Sequence, residues 1–154
     1  MSGGIDLRWR PLATGETAQG LVYAALADGQ RIEWQGPSGL AYRLLQWIGA
    51  EAPDTPFLYT VETGVDPADE AELMAWYEQD HLPRLAAVPG VVAAARYRLI
   101  EGEAPCYLAA YWLTAPEVFE SPAWLEARKT DWTARMRPCF RHPRRTMRRL
   151  ETSA

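Results

Sequence analysis

The chain has 154 residues, with 48% apolar and 23% charged side chains and a formal net charge of −4. That length suffices for one domain whose core needs no disulfide or metal. The two cysteines, Cys106 and Cys139, lack metal-ligand spacing, no export signal precedes the domain, and no apolar run reaches the roughly 18 residues that cross a bilayer. We therefore expect a cytoplasmic protein with reduced cysteines and no membrane segment.

The charge is unevenly distributed along the chain. Residues 51–80 hold nine acidic residues and no Lys or Arg, whereas residues 132–150 hold seven Arg and no acidic residue. A basic run can mark a nucleic-acid surface, but the chain is acidic overall and lacks a helix-turn-helix or ribonucleoprotein motif. The pattern favours ion pairs between the last strand and the acidic segment, and we expect no nucleic-acid partner.

We expect residues 1–50 to form an N-terminal extension, made of a β-hairpin and a short helix, that precedes the main domain. Two β-rich segments, residues 21–27 and 30–35, flank Asp28-Gly29. This pair supplies the positive φ angles of a two-residue type I′ turn, so the segment predicts a β-hairpin.

A short helix and a linker are expected next. Ser38 can cap the helix, Gly49 is placed to end it, and the apolar residues between them recur at helical spacing: Ala41, Leu44, Leu45 and Ile48. Residues 51–56 contain two prolines and two acidic residues, which is typical of a linker.

The sequence pattern of residues 57–151 predicts a regular alternation of strands and helices. The first element is a strand over Phe57 to Thr63. Asp66-Pro67 supplies an N-cap side chain and a proline at the first helical position, so a helix begins there. Pro83 limits this helix because the residue before a proline is pushed out of the α region. His81 is therefore expected near the C-terminus of the helix.

The remainder of this region predicts two adjacent strands, a helix and a final strand. The strands cover Val91 to Ile100 and Cys106 to Leu113, the helix runs from Ser121-Pro122 to Pro138, and the final strand covers Arg144 to Leu150. The order strand, helix, strand, strand, helix, strand is the split βαβ arrangement. We expect an α+β, ferredoxin-like domain with a four-stranded antiparallel sheet and both helices on one face.

The strand from Cys106 to Leu113 is apolar on both of its faces, which predicts that both sides of the sheet are buried. The helices cover one side. The other side can be covered by a second subunit that packs sheet against sheet, or by residues 5–49 of the same chain. We expect a homodimer.

Three segments resemble the dimeric α/β-barrel superfamily, and most closely its EthD-like branch. They are residues 75–83 (AWYEQDHLP), Val88-Pro89-Gly90, and residues 95–98 (ARYR). In that branch, a helix with an aromatic residue and an acid before His-x-Pro leads through a Pro-Gly turn into a strand with an Arg-Tyr pair. The resemblance covers residues 57–151 and does not extend to residues 1–50.

This resemblance implies a homodimer whose two sheets form a barrel, with a small-molecule cavity between helices and sheet in each subunit. It also implies that chemistry, where it exists, lies at His81. It implies no single reaction, because lactone isomerases, polyketide cyclases, cofactor-free monooxygenases and haem proteins share the superfamily.

His81 is the leading catalytic candidate because imidazole titrates near neutrality, which suits general acid/base work. Tyr77 and Glu78 lie one helical turn earlier, so Glu78 can orient one ring nitrogen while the other faces a substrate. The alternative is a helix C-terminal residue whose cationic form complements the helix dipole. The second histidine, His142, is expected to be solvated.

The substrate-binding candidates are aromatic residues and two arginines. Large apolar pockets with a few polar groups hold small aromatic ligands. Two arginines on one face of a strand can bind a carboxylate or an enolate oxygen. The alternatives are ordinary core packing for the aromatic residues and ion pairing for the arginines. The candidates are Tyr59, Trp76, Arg96, Arg98, Tyr107 and Trp132.

The leading functional hypothesis is a cofactor-independent isomerase, cyclase or degradation enzyme that moves a proton next to a carbonyl of an aromatic or lactone-like metabolite. His81 would be the base, and Tyr77 or an arginine the oxyanion partner. The alternatives are a non-catalytic small-molecule-binding or accessory module, and haem binding through neutral His81. The sequence has no phosphate loop and no G-x-G-x-x-G, G-x-S-x-G, H-E-x-x-H or C-x-x-C motif, so no nucleotide or metal cofactor is predicted.

Overall fold

The structure, a computed structural model, describes residues 7–11, 21–25, 32–35, 42–50, 55–99 and 107–151. The strands in these ranges are β1 (Leu7–Pro11), β2 (Leu21–Ala25), β3 (Ile32–Gln35), β4 (Tyr42–Gly49), β5 (Phe57–Gly64), β6 (Val91–Leu99), β7 (Tyr107–Leu113) and β8 (Arg141–Glu151). The helices are α1 (Pro67–Trp76), a π-helical turn (Tyr77–His81), α2 (Leu82–Ala86), α3 (Pro122–Ala127) and α4 (Asp131–Met136). Two 3₁₀ turns cover Pro116–Glu120 and Arg137–Cys139.

The described strands form one sheet in the order β3-β2-β1-β8-β5-β7-β6-β4, and every neighbouring pair in this order is antiparallel. Its central part, β8-β5-β7-β6, has the strand order of a ferredoxin-like domain. The predicted α+β, ferredoxin-like fold is therefore confirmed. The strands from residues 1–50 extend the same sheet at both of its edges.

The hairpin predicted in the first 50 residues is confirmed by the pairing of β2 with β3. Ala24 lies opposite Glu33 and Ala25 opposite Ile32. This register is the one that a two-residue turn at Asp28-Gly29 gives, although the turn itself lies outside the described residues.

The prediction of a helix between Ser38 and Gly49 is wrong, because Tyr42–Gly49 forms strand β4. Residues 38–41 lie outside the described residues. Antiparallel pairing with β6 supplies backbone hydrogen-bond partners along one edge of β4. A register shift between Leu44 and Gln46 interrupts the two-residue alternation, which is why the apolar residues mimic helical spacing. Gly49 does have a positive φ of 111°, but at a strand end, where a Cβ atom would lie 2.4 Å from the carbonyl oxygen of Val92.

Both faces of β7 are buried, as the sequence predicted. On the helix side, Tyr111 and Ala109 pack in the main core, and on the other side Trp112 has no exposed surface. Trp47 of β4 lies against Trp112, with ring centroids 4.9 Å apart. Because β3 and β4, the two ends of the sheet, also contact each other, this chain buries the second face itself. The homodimer stays a prediction, since the described residues of β7 are buried on both faces without a second subunit.

Helix α1 begins at Asp66-Pro67, as predicted. The Asp66 carboxylate does not cap a helical N–H group but binds Arg141 of β8, at 2.8 Å. Arg135 and Glu72 form a second link, at 3.0 Å. Pairing between the basic and acidic segments is therefore confirmed, although exposed pairs of this kind contribute little stability.

Pro83 does not end the first helix, which continues through the π-helical turn to Ala86. In this turn the Leu82 N–H donates to the Tyr77 carbonyl, five residues earlier. Residue 83 would donate to the Glu78 carbonyl in the same pattern, but proline has no N–H. The Gln46 side chain of β4 donates to that carbonyl instead, at 3.2 Å. His81 consequently lies inside a continuous helical segment and not at its C-terminus.

The second predicted helix is divided into α3 and α4. Ser121 caps α3 by accepting a hydrogen bond from the Trp124 N–H at 3.2 Å, as its position before Pro122 predicted. Thr130 caps α4 by accepting from the Thr133 N–H at 3.0 Å. Thr130-Asp131 is itself a typical start of a helix. The apolar residues before and after it keep one helical spacing, so the sequence predicted a single helix up to Pro138.

We predict that Gln46→Ala lowers the free energy of unfolding by about 1 kcal/mol, because the Glu78 carbonyl loses its donor. In a Pro83→Ala background the backbone N–H is restored, so the same change should have a smaller effect. Urea unfolding of both single variants and the double variant measures this coupling. Exposed Gln79→Ala is the control. Equal effects of Gln46→Ala in the two backgrounds would contradict the assignment.

Candidate functional site

His81 is packed inside the domain, with 9% of its surface exposed. Its ring stacks on Trp76, with centroids 4.2 Å apart and planes inclined by 21°. It is also steeply inclined to the Tyr77 ring, at 73°, with centroids 5.3 Å apart. The Nδ1 atom is buried and has no hydrogen-bond partner among the described residues. A buried nitrogen of this kind is available to a ligand or a water molecule.

The imidazole of His81 is neutral at physiological pH. Burial lowers its pKa from 6.5 to about 3, and the positive charge of Arg128 acts in the same direction. Asp80 opposes this shift, while Arg137 and Arg96 add to it. The alternative drawn from the sequence, a cationic His81 at the C-terminus of a helix, is therefore wrong. His81 lies within the helical segment, and its lowered pKa keeps the imidazole neutral.

Hydrogen bonds fix the helical segment that carries His81. The Trp76 indole N–H donates to the Thr133 hydroxyl at 3.1 Å, which holds the ring that stacks on His81. Asp80 accepts from the Thr130 hydroxyl at 3.0 Å and from Arg84 at 2.6 Å. These contacts join the π-helical turn to the start of α4, so the position of His81 depends on both helical regions.

His81 lines a cavity of about 50 Å³ between the helices and the sheet. A water molecule needs roughly 10–15 Å³ by this measure, so the cavity has room for a few waters or one small polar group. Its walls are largely aromatic, with Tyr59 and Tyr111 from the sheet, Tyr77 from the π-helical turn, and Trp124 and Phe140 from the second half of the chain.

Three arginines and no acidic residue line this cavity among the residues that the structure describes. Arg128 follows α3, Arg137 follows α4, and Arg145 lies on β8. None of them forms an ion pair with a residue in the described part of the chain. Burial lowers the pKa of Arg128, and the positive charges of Arg137 and Arg145 act in the same direction. The cavity therefore has a net positive charge.

The tyrosines of the cavity remain protonated at neutral pH. Burial raises the pKa of Tyr77 to about 12, with Arg96 opposing the shift. Burial also raises the pKa of Tyr59 and that of Tyr111, against the effect of nearby arginines. Their hydroxyl groups can consequently donate hydrogen bonds to an anion beside His81.

The structure brings together His81, Tyr77, Trp76 and Tyr59 from the predicted site. Glu78 is not with them, since its side chain is exposed and lines a second cavity together with Arg96. It is therefore not placed to orient the His81 ring. Helical spacing suggested this pairing, but the π-helical turn buries Tyr77 and His81 and leaves Glu78 on the outside.

The other predicted binding residues lie outside the His81 cavity. Arg98 has 59% of its side chain exposed and lies 3.8 Å from Glu70. Tyr107 donates to the same carboxylate. Trp132 packs at the edge of the core, and its buried indole N–H has no partner among the described residues.

Arg128, Arg137 and Arg145 were missed as site residues. Arg145 belongs to the basic run that the sequence assigned to ion pairing, and Arg128 and Arg137 are distant from it along the chain. Only the division of the second helix and the register of β8 on β5 bring them together. A cluster of unpaired arginines has no local sequence signature.

Two further findings concern the part of the chain that the structure describes. It contains no group of three or more His, Cys, Asp or Glu side chains arranged to hold a metal ion. None of its helices combines the length and the apolar character needed to span a membrane.

Comparisons with known proteins bear on the fold. No protein-family model and no curated protein matches the chain. A solved structure of a major regulator of staphylococcal pathogenesis is similar, with a TM-score of 0.61 and 11% identity over 94% of this chain and 85% of that one. An anthrone oxidase-like protein is also similar, with a TM-score of 0.60 and 12% identity over 97% of this chain and 78% of that one. A third similar structure is a Listeria monocytogenes ferredoxin-fold protein related to antibiotic-biosynthesis monooxygenases. Its TM-score is 0.59, with 10% identity over 97% of each chain.

These similarities define the class of the protein as a ferredoxin-like α+β fold. At such low identity they show the fold alone, and the EthD-like branch stays a prediction.

We predict that the His81 environment makes stability depend on pH. Because the pKa of His81 falls from 6.5 to about 3 on folding, the unfolded state binds an extra proton between these values. The free energy of unfolding should therefore fall as pH is lowered through this window, with a His81 contribution of up to about 1.4 kcal/mol per pH unit. Urea unfolding at several pH values should show a shallower slope for His81→Gln. Identical slopes would refute a neutral, buried His81.

Proposed function

We propose that this chain is a small-molecule-binding protein whose His81 cavity accepts the anionic end of a planar molecule, such as a carboxylate, phenolate or enolate. The observation that carries the proposal is the set of three unpaired arginines beside a buried, neutral histidine. Guanidinium groups bind carboxylates through two parallel hydrogen bonds. The aromatic walls favour a flat ligand, since ring faces stack on one another.

The size of the cavity determines how such a ligand would enter. With about 50 Å³ available, the site takes one polar group and not a whole aromatic molecule. The anionic group would lie among the arginines and the tyrosine hydroxyls. The rest of the ligand would occupy the mouth of the cavity, where Arg137 and Arg145 are exposed.

This arrangement also supports a reaction, namely proton transfer next to a carbonyl without a cofactor. Removal of such a proton creates an enolate, and the arginines would stabilise its negative charge. His81 would accept the proton, and the Tyr77 hydroxyl would donate a hydrogen bond to the enolate oxygen. A bound anion would offset the charges of Arg128 and Arg137, and so raise the pKa of His81 towards the range where a base is effective.

A second candidate is a non-catalytic binding or accessory module. It is favoured by the pKa of His81, which at about 3 makes the free imidazole a weak base. In this case the arginines and aromatic residues would hold a metabolite without converting it.

The cavity does not fit haem, the third hypothesis from the sequence. Ligands of drug size or larger occupy pockets of about 300–1,000 Å³, whereas the space beside His81 measures about 50 Å³. One face of the His81 ring is covered by Trp76, which restricts approach of a macrocycle.

We predict that salicylate, a planar anion, binds the wild type more tightly than neutral salicylamide, and quenches tryptophan fluorescence. Arg128→Gln should weaken salicylate binding about tenfold, because a hydrogen bond to a charged group contributes about 1.5–3 kcal/mol. Arg135→Gln, which removes an arginine paired with Glu72 outside the cavity, is the matched control. Equal affinity for both compounds, or equal loss in both variants, would reject the anion site.

We predict that the wild type accelerates exchange of the C3 protons of phenylpyruvate with D₂O, as followed by NMR. His81→Gln should reduce this rate to the buffer value while salicylate still binds, because the variant keeps the arginines and loses the base. Binding without exchange in the wild type would favour the accessory module. Exchange that is unchanged in His81→Gln would eliminate His81 as the base.

A further inference from the structure

A second cavity, of about 330 Å³, lies between β4 and α1. Its described lining combines an apolar group, Leu45 of β4 and Ala71, Met74 and Ala75 of α1, with the polar residues Gln46, Glu78 and Arg96. Ala71 and Ala75 are four residues apart on the helix, so they share one face, and their small side chains leave the space open. Gln46, which donates to the Glu78 carbonyl, holds the strand against the helix on this side.

Arg96 of β6 supplies the buried charge of this cavity, with only 2% of its surface exposed. Its guanidinium carbon lies 4.5 Å from the centre of the Tyr77 ring and 5.9 Å from that of Tyr107. One guanidinium nitrogen donates to the sulfur of Met74 at 3.0 Å. These contacts hold the side chain in place but do not neutralise it.

Arg96 forms no ion pair with any residue that the structure describes. The neighbouring acids do not supply one. Glu70 binds the Tyr107 hydroxyl and lies near Arg98, and Glu78 is exposed at the rim of the cavity. Buried charges in proteins are normally paired, so an unpaired guanidinium beside an open cavity is a binding group without its partner.

The chemistry of the cavity limits what that partner is. A carboxylate matches the planar fork of one arginine, and the apolar walls match a hydrocarbon chain. A dianion such as phosphate is disfavoured. The single positive charge of Arg96 does not balance the two charges of a dianion together with the negative charge of Glu78 at the rim. The cavity therefore suits a molecule with a single negative charge and an apolar tail.

We propose that the Arg96 cavity is a second binding site, for a monocarboxylate with an apolar tail of fatty-acid type. It is separate from the His81 cavity, because the two cavities share no lining residue among those described. Tyr77 contacts both Arg96, whose guanidinium carbon is 4.5 Å from its ring centre, and His81, whose ring centroid is 5.3 Å away. The site does not depend on the function proposed for the His81 cavity.

Isothermal titration with octanoate tests this site, with neutral 1-octanol as the control for non-specific apolar binding. The wild type should bind octanoate in a saturable manner, and Arg96→Met should weaken this binding at least tenfold. Arg98→Met removes an exposed arginine from the same face of β6 and should leave it unchanged. No saturable heat at millimolar octanoate, or equal affinity in Arg96→Met and the wild type, would overturn the proposal.

A second variant covers the case in which Arg96→Met does not fold. Ala71→Phe changes an exposed helix residue and fills the cavity without removing a charge, so it should also abolish octanoate binding. Circular dichroism confirms folding of each variant. Unchanged octanoate binding in folded Ala71→Phe would place the ligand elsewhere. Arg128→Gln should still bind octanoate, and Arg96→Met should still bind salicylate, so failure of one site is distinguishable from failure of the other.

Discussion

The helix between Pro67 and Ala86 contains a π-helical turn, and the arrangement of both cavities depends on it. The turn lets the helix continue past Pro83, and the Gln46 side chain from the added strand β4 supplies the donor that the proline lacks. Tyr77 and His81 are thereby buried together, while Glu78 between them is exposed. π-helical turns interrupt α-helices frequently at functional sites, since they change which side chains face inward.

Electrostatics gives the two cavities a common feature. Each is lined by arginines that form no ion pair with a described residue: Arg128, Arg137 and Arg145 in the His81 cavity, and Arg96 in the second cavity. Arg135 and Arg141, which line neither cavity, are paired with acids of α1 and its N-cap. The arginines near His81 contribute to its low pKa, although burial has the larger effect.

Parts of this arrangement could be predicted because they depend on local chemistry. Asp66-Pro67 and Ser121-Pro122 favour helix starts through local backbone chemistry, and the apolar faces of β7 require burial on both sides. The strand order followed from the succession of these elements. The predictions failed where a distant segment supplied the missing interaction: Gln46 for the helix at Pro83, and β6 for the strand at Tyr42–Gly49.

The sequence by itself determined the ferredoxin-like fold and the proximity of Tyr77 and His81, because capping residues and short-range spacing specify both. Only the tertiary structure decided the state of His81, the exclusion of Glu78, and the meeting of Arg128, Arg137 and Arg145. These features depend on burial and on charges far apart in the chain. A pKa or an unpaired guanidinium reflects the whole surrounding structure, and no local pattern of residues encodes it.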